Sequence, residues 1–230
     1  MEFEVLEIRK ETPTIVTVIF KNPGINYKPG NYFVFFLDVN DEKGNYRDFS
    51  VASSPTEDVI IVSSRITKSE YKKKFTSLKK GDKITVKGPF GHFLLSDDKD
   101  IVMIAGGIGI TPFRSMLKYL TDVESSQKIT LFYGSKTPEE IAFLNDLEKL
   151  SSKNKNIKII YTVNDPKDHK TDYKGLTGFI DSNMIKYNTS VKNKYFYICG
   201  PTAMVDSMTN QLKSIGIKES DIRVEHFTGY

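Results

Sequence analysis

The sequence predicts two domains: an antiparallel β-barrel over residues 1–97, then an α/β domain with a Rossmann-like parallel sheet over 98–230. Three observations predict this. Residues 1–97 form a series of short segments rich in Val, Ile and Phe, cut by turn residues. From Lys99 onward strands and helices alternate, and the strands are near-continuous apolar runs, as in a parallel sheet covered on both faces. The polar stretch SDDKD (96–100) separates the two patterns.

In chain order, the strands of the first part are EFEVLEI, TIVTVIF, NYFVFFLDV, YRDFSVAS, DVIIVSSRI and KITVKG. The turn signals NPG, KPG, EKG, SSP and KKGD lie between or beside them, and near-regular spacing of this kind suits a small antiparallel barrel. One helix fits, from Ser69 to Leu78. The second part reads as strand DIVMIAGG, helix TPFRSMLKYLTD, strand KITLFYG, helix PEEIAFLNDLEKL and strand IKIIYTV. A polar loop follows, then a short helix near SNMIKY, strand KYFYICG, helix PTAMVDSMTNQLKSI and strand IRVEHF.

Composition narrows the function classes. The net charge of +4 is too small to point to nucleic acid and is compatible with an anionic cofactor or an acidic protein partner. The stretch YKKKFTSLKK (71–80) holds five lysines, which fits a solvated helix face or a docking patch. A single cysteine, Cys199, excludes a disulfide framework, a four-cysteine zinc site and a thiolate-held iron–sulfur cluster within these residues. Three histidines far apart in sequence give no metal-ligand spacing. MEFEVLEIRK is a charged, alternating pattern rather than a signal peptide, and no apolar run reaches spanning length, so a cytoplasmic setting is expected.

Two strand-to-helix junctions carry chemistry. In AGGIGITPF (105–113), Gly106, Gly107 and Gly109 permit a tight turn and close backbone approach, and Thr111 is positioned to cap a helix opened by Pro112. Such a turn suits a pyrophosphate, although it is not the G-x-G-x-x-G fingerprint. In ICGPTAMV (198–205), Gly200 makes the turn and Pro201 starts the helix, so Cys199 lies at the carboxyl end of a parallel strand, where open α/β sheets bind ligands. In YRDFSVASSP (46–55), Arg47 and Phe49 share one face of a strand and Ser50 points to the other.

The ordered set RDFS, GPFG, GGIGITPF, YGSK, CGPTAM and EHF resembles the ferredoxin–NADP reductase-like flavoenzyme superfamily across almost the whole chain. The resemblance implies a flavin-binding barrel followed by an NAD(P)-binding domain, with hydride passing from NADPH or NADH to FAD; FMN is the less favoured flavin. By motif, Arg47 would pair with the flavin pyrophosphate, Phe49 would pack on one ring face where the family more often has Tyr, and Ser50 would bond near flavin N5. Gly88, Phe90 and Gly91 of GPFG would border the flavin, and Arg65, Thr67 and Ser69 of SRITKSEYKKKF (64–75) would line its pyrophosphate side.

In the second part, Gly107, Gly109 and Thr111 would hold the NAD(P)H pyrophosphate, with Gly200 and Pro201 at the neighbouring turn. Ser135 and Lys136 would meet a 2′-phosphate, which by charge favours NADPH. Cys199 and Glu225 match positions that border the nicotinamide and, with Ser50, would form the catalytic polar group. Phe227 or Tyr230 would stack on the flavin. Without cluster ligands in these residues the electron acceptor is expected to be separate, a ferredoxin or flavodoxin by first choice. The alternative is an electron-transfer subunit of a larger complex such as a hydrogenase, dehydrogenase or oxygenase system. A flavin-free binding protein of the same fold fits less well, because RDFS, Cys199 and Glu225 are all present.

Overall fold

The computed structural model describes residues 1–164, 173 and 175–228. It divides into two compact units: Met1–Leu95 together with Thr111–Tyr119, and Ser96–Ile110 together with the chain from Leu120 onward.

The first unit is built on β1 (Glu2–Thr12), β2 (Ile15–Lys21), β3 (Tyr32–Phe36), β4 (Tyr46–Ser50), β5 (Val59–Arg65) and β6 (Lys83–Phe90), with the short helix α1 (Glu70–Thr76). The strands pair antiparallel in the order β4-β3-β6-β1-β2-β5. Beyond the end of β4, the Ala52 N–H donates to the Ile61 carbonyl of β5 at 2.7 Å, drawing the two edges together toward a barrel. Alternation sends Phe3, Phe20, Phe33, Phe35 and Phe49 inward, where they pack with Tyr71 and Phe75 of α1. The Phe49 and Phe75 rings stack at 4.6 Å. Each fully buried ring of this kind contributes roughly 1.5–3 kcal/mol through burial, so the aromatic content of the first part is largely barrel core.

The second unit holds β7 (Asp100–Gly106), β8 (Ile129–Ser135), β9 (Ile157–Val163), β10 (Leu176–Thr177), β11 (Lys194–Pro201) and β12 (Ile222–Phe227), all parallel, in the order β10-β9-β8-β7-β11-β12. Successive strands step outward from β7 to β10 and then return to the other side at β11. The switch point therefore lies between β7 and β11. Helices α3 (Leu144–Lys153), α4 (Ser182–Asn188) and α5 (Thr202–Ser214) belong to this unit, whereas α2 (Ile110–Asp122) contributes residues to both. On one side Val205, Met208 and Leu212 of α5 pack with Ile185 of α4 onto Val102, Ile104, Phe132 and Ile198.

Three local expectations are corrected. The helix expected over 138–150 starts only at Leu144: Pro138–Glu140 is a 3₁₀ turn, and Phe143 is left-handed at φ 59°. Ile141, Ala142 and Phe143 are all buried, which one helical face cannot achieve, and the Ala142 N–H donates to the Tyr133 hydroxyl at 3.0 Å. That tertiary bond takes a donor that a helix would use. Thr111 does not cap α2, because the 3₁₀ turn Gly107–Gly109 runs directly into a helix beginning at Ile110, leaving Thr111 buried in its first turn. The two-residue strand β10 lies in the segment read as a polar loop.

Candidate functional site

In the first unit, two of the side chains named for a diphosphate, Arg47 and Ser69, converge on Asp41. Arg47 on β4 extends its Nη2 to Asp41 Oδ1 at 2.5 Å, and its Nη1 donates to the carbonyls of Lys43 and Gly44, each at 3.0 Å. The other Asp41 oxygen accepts the Ser69 hydroxyl at 2.7 Å and the Tyr71 N–H at 3.0 Å. Ser69 also caps α1, accepting the Lys72 N–H at 3.3 Å. Bonds from the Tyr71 N–H, the Ser69 hydroxyl and the Lys43 N–H hold the Asp41 carboxyl well below the usual carboxylate range. Burial, then the charges of Arg47, Arg65 and Lys43, pull Lys72 down. A carboxylate thus stands among donors suited to a phosphate, inside a local excess of positive charge. The residues fit the diphosphate of a flavin dinucleotide.

Arg65 is turned to Thr14, donating from Nη1 at 3.0 Å, and the Thr67 hydroxyl accepts the Ser69 N–H at 3.3 Å. Ser50 is the register partner of Tyr32, which also pairs with Phe90. Tyr32 and Phe90 have ring centroids 5.8 Å apart, and Phe90 is 44% exposed. Phe49, expected against a flavin face, is only 8% exposed because its ring is taken up by Phe75 and Phe35. The open aromatic surface beside Ser50 is therefore Tyr32 with Phe90. Tyr32 was missed in the sequence, where it reads as one of several aromatics in β3. Glycine is required at Gly88 and Gly91 next to these rings: an added Cβ would lie 2.6 Å from Phe33 and 3.0 Å from Tyr32 respectively, and both have positive φ.

The loop after β4 is clamped by two residues that the motifs do not reveal. Arg114 of α2 donates to the Ala52 carbonyl at 2.8 Å and, through both terminal nitrogens, to Glu57 at 2.9 and 3.2 Å. Glu57 in turn accepts the Ser54 N–H at 2.7 Å, and the Ser115 hydroxyl donates to the Ser53 carbonyl at 2.5 Å. A charged residue inside the apolar run TPFRSML was the available signal for Arg114.

In the second unit, the two Gly-rich turns meet at the switch point. An added Cβ on Gly109 would lie 2.3 Å from the Cys199 carbonyl oxygen, and the Gly106 Cα lies 3.2 Å from the Cβ position of Gly200. Pro201 precedes the first residue of α5. Cys199 is fully buried and faces Glu225 as its register partner on β12. Burial, then the Glu225 charge, pushes the Cys199 thiol well up. Ser135 is buried at the end of β8 with its hydroxyl donating to the Glu140 carbonyl at 3.4 Å, while Lys136 is exposed. Phe227 closes β12 opposite Pro201, half-buried; Tyr230 lies outside the described residues. Among the described residues, no helix is long and apolar enough to cross a membrane.

A barrel-like antiparallel sheet followed by a parallel sheet with a glycine-lined switch point defines a pyridine-nucleotide oxidoreductase architecture, and comparison with known proteins agrees. Residues 103–210 match the oxidoreductase NAD-binding domain model. Over 216 residues the chain is 30% identical to the F subunit of the Na(+)-translocating NADH-quinone reductase from Shewanella denitrificans, covering 86% of this chain and 53% of that protein. The chain thus spans about half the length of the curated relatives it matches. The flavohem-like FAD/NAD binding domain of nitric oxide dioxygenase from Vibrio cholerae superposes with TM-score 0.85 at 20% identity, covering 98% of each chain. A ferredoxin NADP+ reductase from Neisseria gonorrhoeae with bound FAD and NADP superposes with TM-score 0.83 at 23% identity, again covering 98% of each. The fold is that of the ferredoxin reductase-like flavoenzymes, and within it residues 103–210 match the oxidoreductase NAD-binding domain.

Proposed function

We propose that the chain is the NADH-oxidising flavoprotein module of an electron-transfer system, carrying FAD and delivering electrons to a redox centre outside these residues. The observation that carries this reading is the Arg47, Ser69 and Tyr71 N–H group around a carboxylate, in a chain whose residues 103–210 match an NAD-binding oxidoreductase domain. When bound, FAD accepts hydride and releases electrons singly, so a two-electron donor can feed a one-electron carrier. The protein supplies position and charge. Arg47 and Ser69 hold the diphosphate, Tyr32 and Phe90 shape the ring side near Ser50, and the turn at Gly107–Gly109 receives the nucleotide pyrophosphate. Glu225 at the end of the parallel sheet orients the nicotinamide and holds a proton donor or acceptor there.

Two features favour NADH over the NADPH suggested by charge alone. The Ser135 hydroxyl is turned into its own loop, and Glu139 and Glu140 follow immediately, where a 2′-phosphate would be repelled. The relatives that match are named NADH-quinone reductase subunits. Those names also support the role of an electron-input subunit in a larger assembly over that of a free-standing ferredoxin or flavodoxin reductase. Lys73, Lys74, Lys79 and Lys80 are exposed and give an acidic partner a surface to meet.

The test is reconstitution. Purified protein should bind FAD, turn yellow and bleach under anaerobic NADH, faster than under NADPH. A protein that stays colourless after incubation with FAD and with FMN would overturn the reading. Native-extract size-exclusion separates the two partner readings: elution in a large assembly supports the subunit, and elution as a free chain supports the carrier reductase.

A further inference from the structure

The loop between β3 and β4 places its own anion in the diphosphate cradle. Asp41 takes four hydrogen bonds: Arg47 Nη2 at 2.5 Å and the Lys43 N–H at 3.0 Å on one oxygen, the Ser69 hydroxyl at 2.7 Å and the Tyr71 N–H at 3.0 Å on the other. Its side chain is 6% exposed. Arg47, which stacks its guanidinium 4.8 Å above the Tyr71 ring, is held in place by the same contact. Arg47 Nη1 also holds the Lys43 and Gly44 carbonyls, so the loop's ties run chiefly through the Asp41–Arg47 contact. Glu42, Lys43, Gly44 and Asn45 are exposed, Gly44 has φ +80°, and the bond from the Leu37 N–H to the Asn45 carbonyl closes its base.

The donors that Asp41 occupies are those the proposed function assigns to the flavin diphosphate. One carboxylate and one diphosphate cannot share them: the two anions would stand at hydrogen-bonding distance with the same donors divided between them. We propose that Asp41 is a built-in competitor for the flavin diphosphate, latching the β3–β4 loop over Arg47, Ser69 and the Tyr71 N–H in the flavin-free chain and leaving when FAD binds. This rests on the FAD reading above. The device has two consequences. Before FAD binds, Arg47 keeps a carboxylate partner, which stabilises the chain. Flavin binding is weaker than the cradle alone would give, because the latch must first be released.

Asp41→Asn tests both consequences, since it removes the charge and keeps the shape. In flavin-stripped protein the variant should unfold at a lower denaturant midpoint than wild type, yet bind FAD about tenfold more tightly or better, read by quenching of flavin fluorescence. A residue that merely props the loop would lower both quantities. Equal or weaker FAD affinity in the variant overturns the proposal while leaving the flavin reading intact; failure of both proteins to bind FAD overturns both. Hydrogen exchange on wild type covers the case of a variant that does not fold. On adding FAD, amides of residues 38–45 should exchange faster while those of residues 69–72 slow. Slower exchange across 38–45 would show the loop closing rather than leaving, and would overturn the latch.

Discussion

Cys199 on β11 and Glu225 on β12 face each other as register partners on parallel strands, and the Cys199 carbonyl packs against Gly109 of the glycine turn after β7. The thiol is fully buried, and burial followed by the Glu225 charge raises its pKa. Raised on folding, it stays protonated in the folded chain while the unfolded chain ionises above about pH 8.5, so this group lowers stability as pH rises beyond that point. Because the thiolate is the reactive form, iodoacetamide at pH 8 should leave Cys199 unmodified in native protein and label it fully in denaturant. Mass spectrometry reads the difference, and equal labelling in both states would contradict the burial.

The other half of this pair carries the mechanistic expectation. Glu225→Gln keeps the size and bonding reach of the side chain but cannot hold or pass a proton. Flavin content should be unchanged, and stopped-flow reduction by NADH should slow about tenfold or more, since a positioned acid or base typically contributes roughly 10²–10⁴-fold. An unchanged reduction rate would remove Glu225 from the chemistry.

Arg47→Ala should weaken FAD binding about ten- to a hundredfold, the loss of one or two charge-assisted bonds of roughly 1.5–3 kcal/mol. Arg47→Lys should recover only part of this, because an ammonium lacks the planar fork that can bind two phosphate oxygens at once. Fluorescence titration of stripped protein measures each. Wild-type affinity in the alanine variant would place the diphosphate elsewhere.

How much of this was legible in the sequence follows from the range of each interaction. The two sheets were legible because period-2 alternation and continuous apolar strands are local signals, and turn residues bounded almost every strand. Cys199 was placed at a strand end by the same grammar, whereas Glu225 was singled out by the family resemblance alone. Asp41 was not legible: it reads as an ordinary acid before a turn, and its partners Ser69 and Tyr71 lie 28 and 30 residues away. Arg114 stands out as a charge inside an apolar run, but its partner Glu57 lies 57 residues away and no local pattern names it. Phe49 shows the limit of motif transfer, since a strand position fixes which face a ring takes and not how far the core absorbs it. The start of α3 was lost for a related reason: helix-forming residues at 138–143 yielded to a tertiary bond with Tyr133.

Gly109→Ala should disable the nucleotide turn. The new methyl would sit 2.3 Å from the Cys199 carbonyl oxygen, a backbone atom that cannot swing aside as a flexible side chain would. Either β11 shifts or the turn opens. Overpacking of this type costs roughly 1–3 kcal/mol, and the KM for NADH should rise as the turn moves. Gly216→Ala is the control for a substitution at an open helix end, because a Cβ there meets nothing within 4 Å, although its φ of +87° carries its own strain. A Gly109 variant with wild-type stability and KM would show that the two turns are not in close contact.

Arg114 and Glu57 form an ion pair whose side chains are 7% and 18% exposed. Pairs of this kind add little net stability over an apolar substitute, because desolvating two charges offsets their attraction, but breaking one partner strands the other. Arg114→Met should therefore cost about 3–5 kcal/mol in chemical denaturation. It leaves the Glu57 carboxylate with the Ser54 N–H but no cation, and the Ala52 carbonyl without its guanidinium donor. Adding Glu57→Gln to that variant should recover part of the loss, since the stranded charge is gone; the two effects are coupled and will not sum. The loop they hold begins directly after Ser50, so the single variant should also bind FAD more weakly than the double. A single variant within about 1 kcal/mol of wild type would mean the pair is solvated and the loop is held by Ser53 and Tyr27 instead.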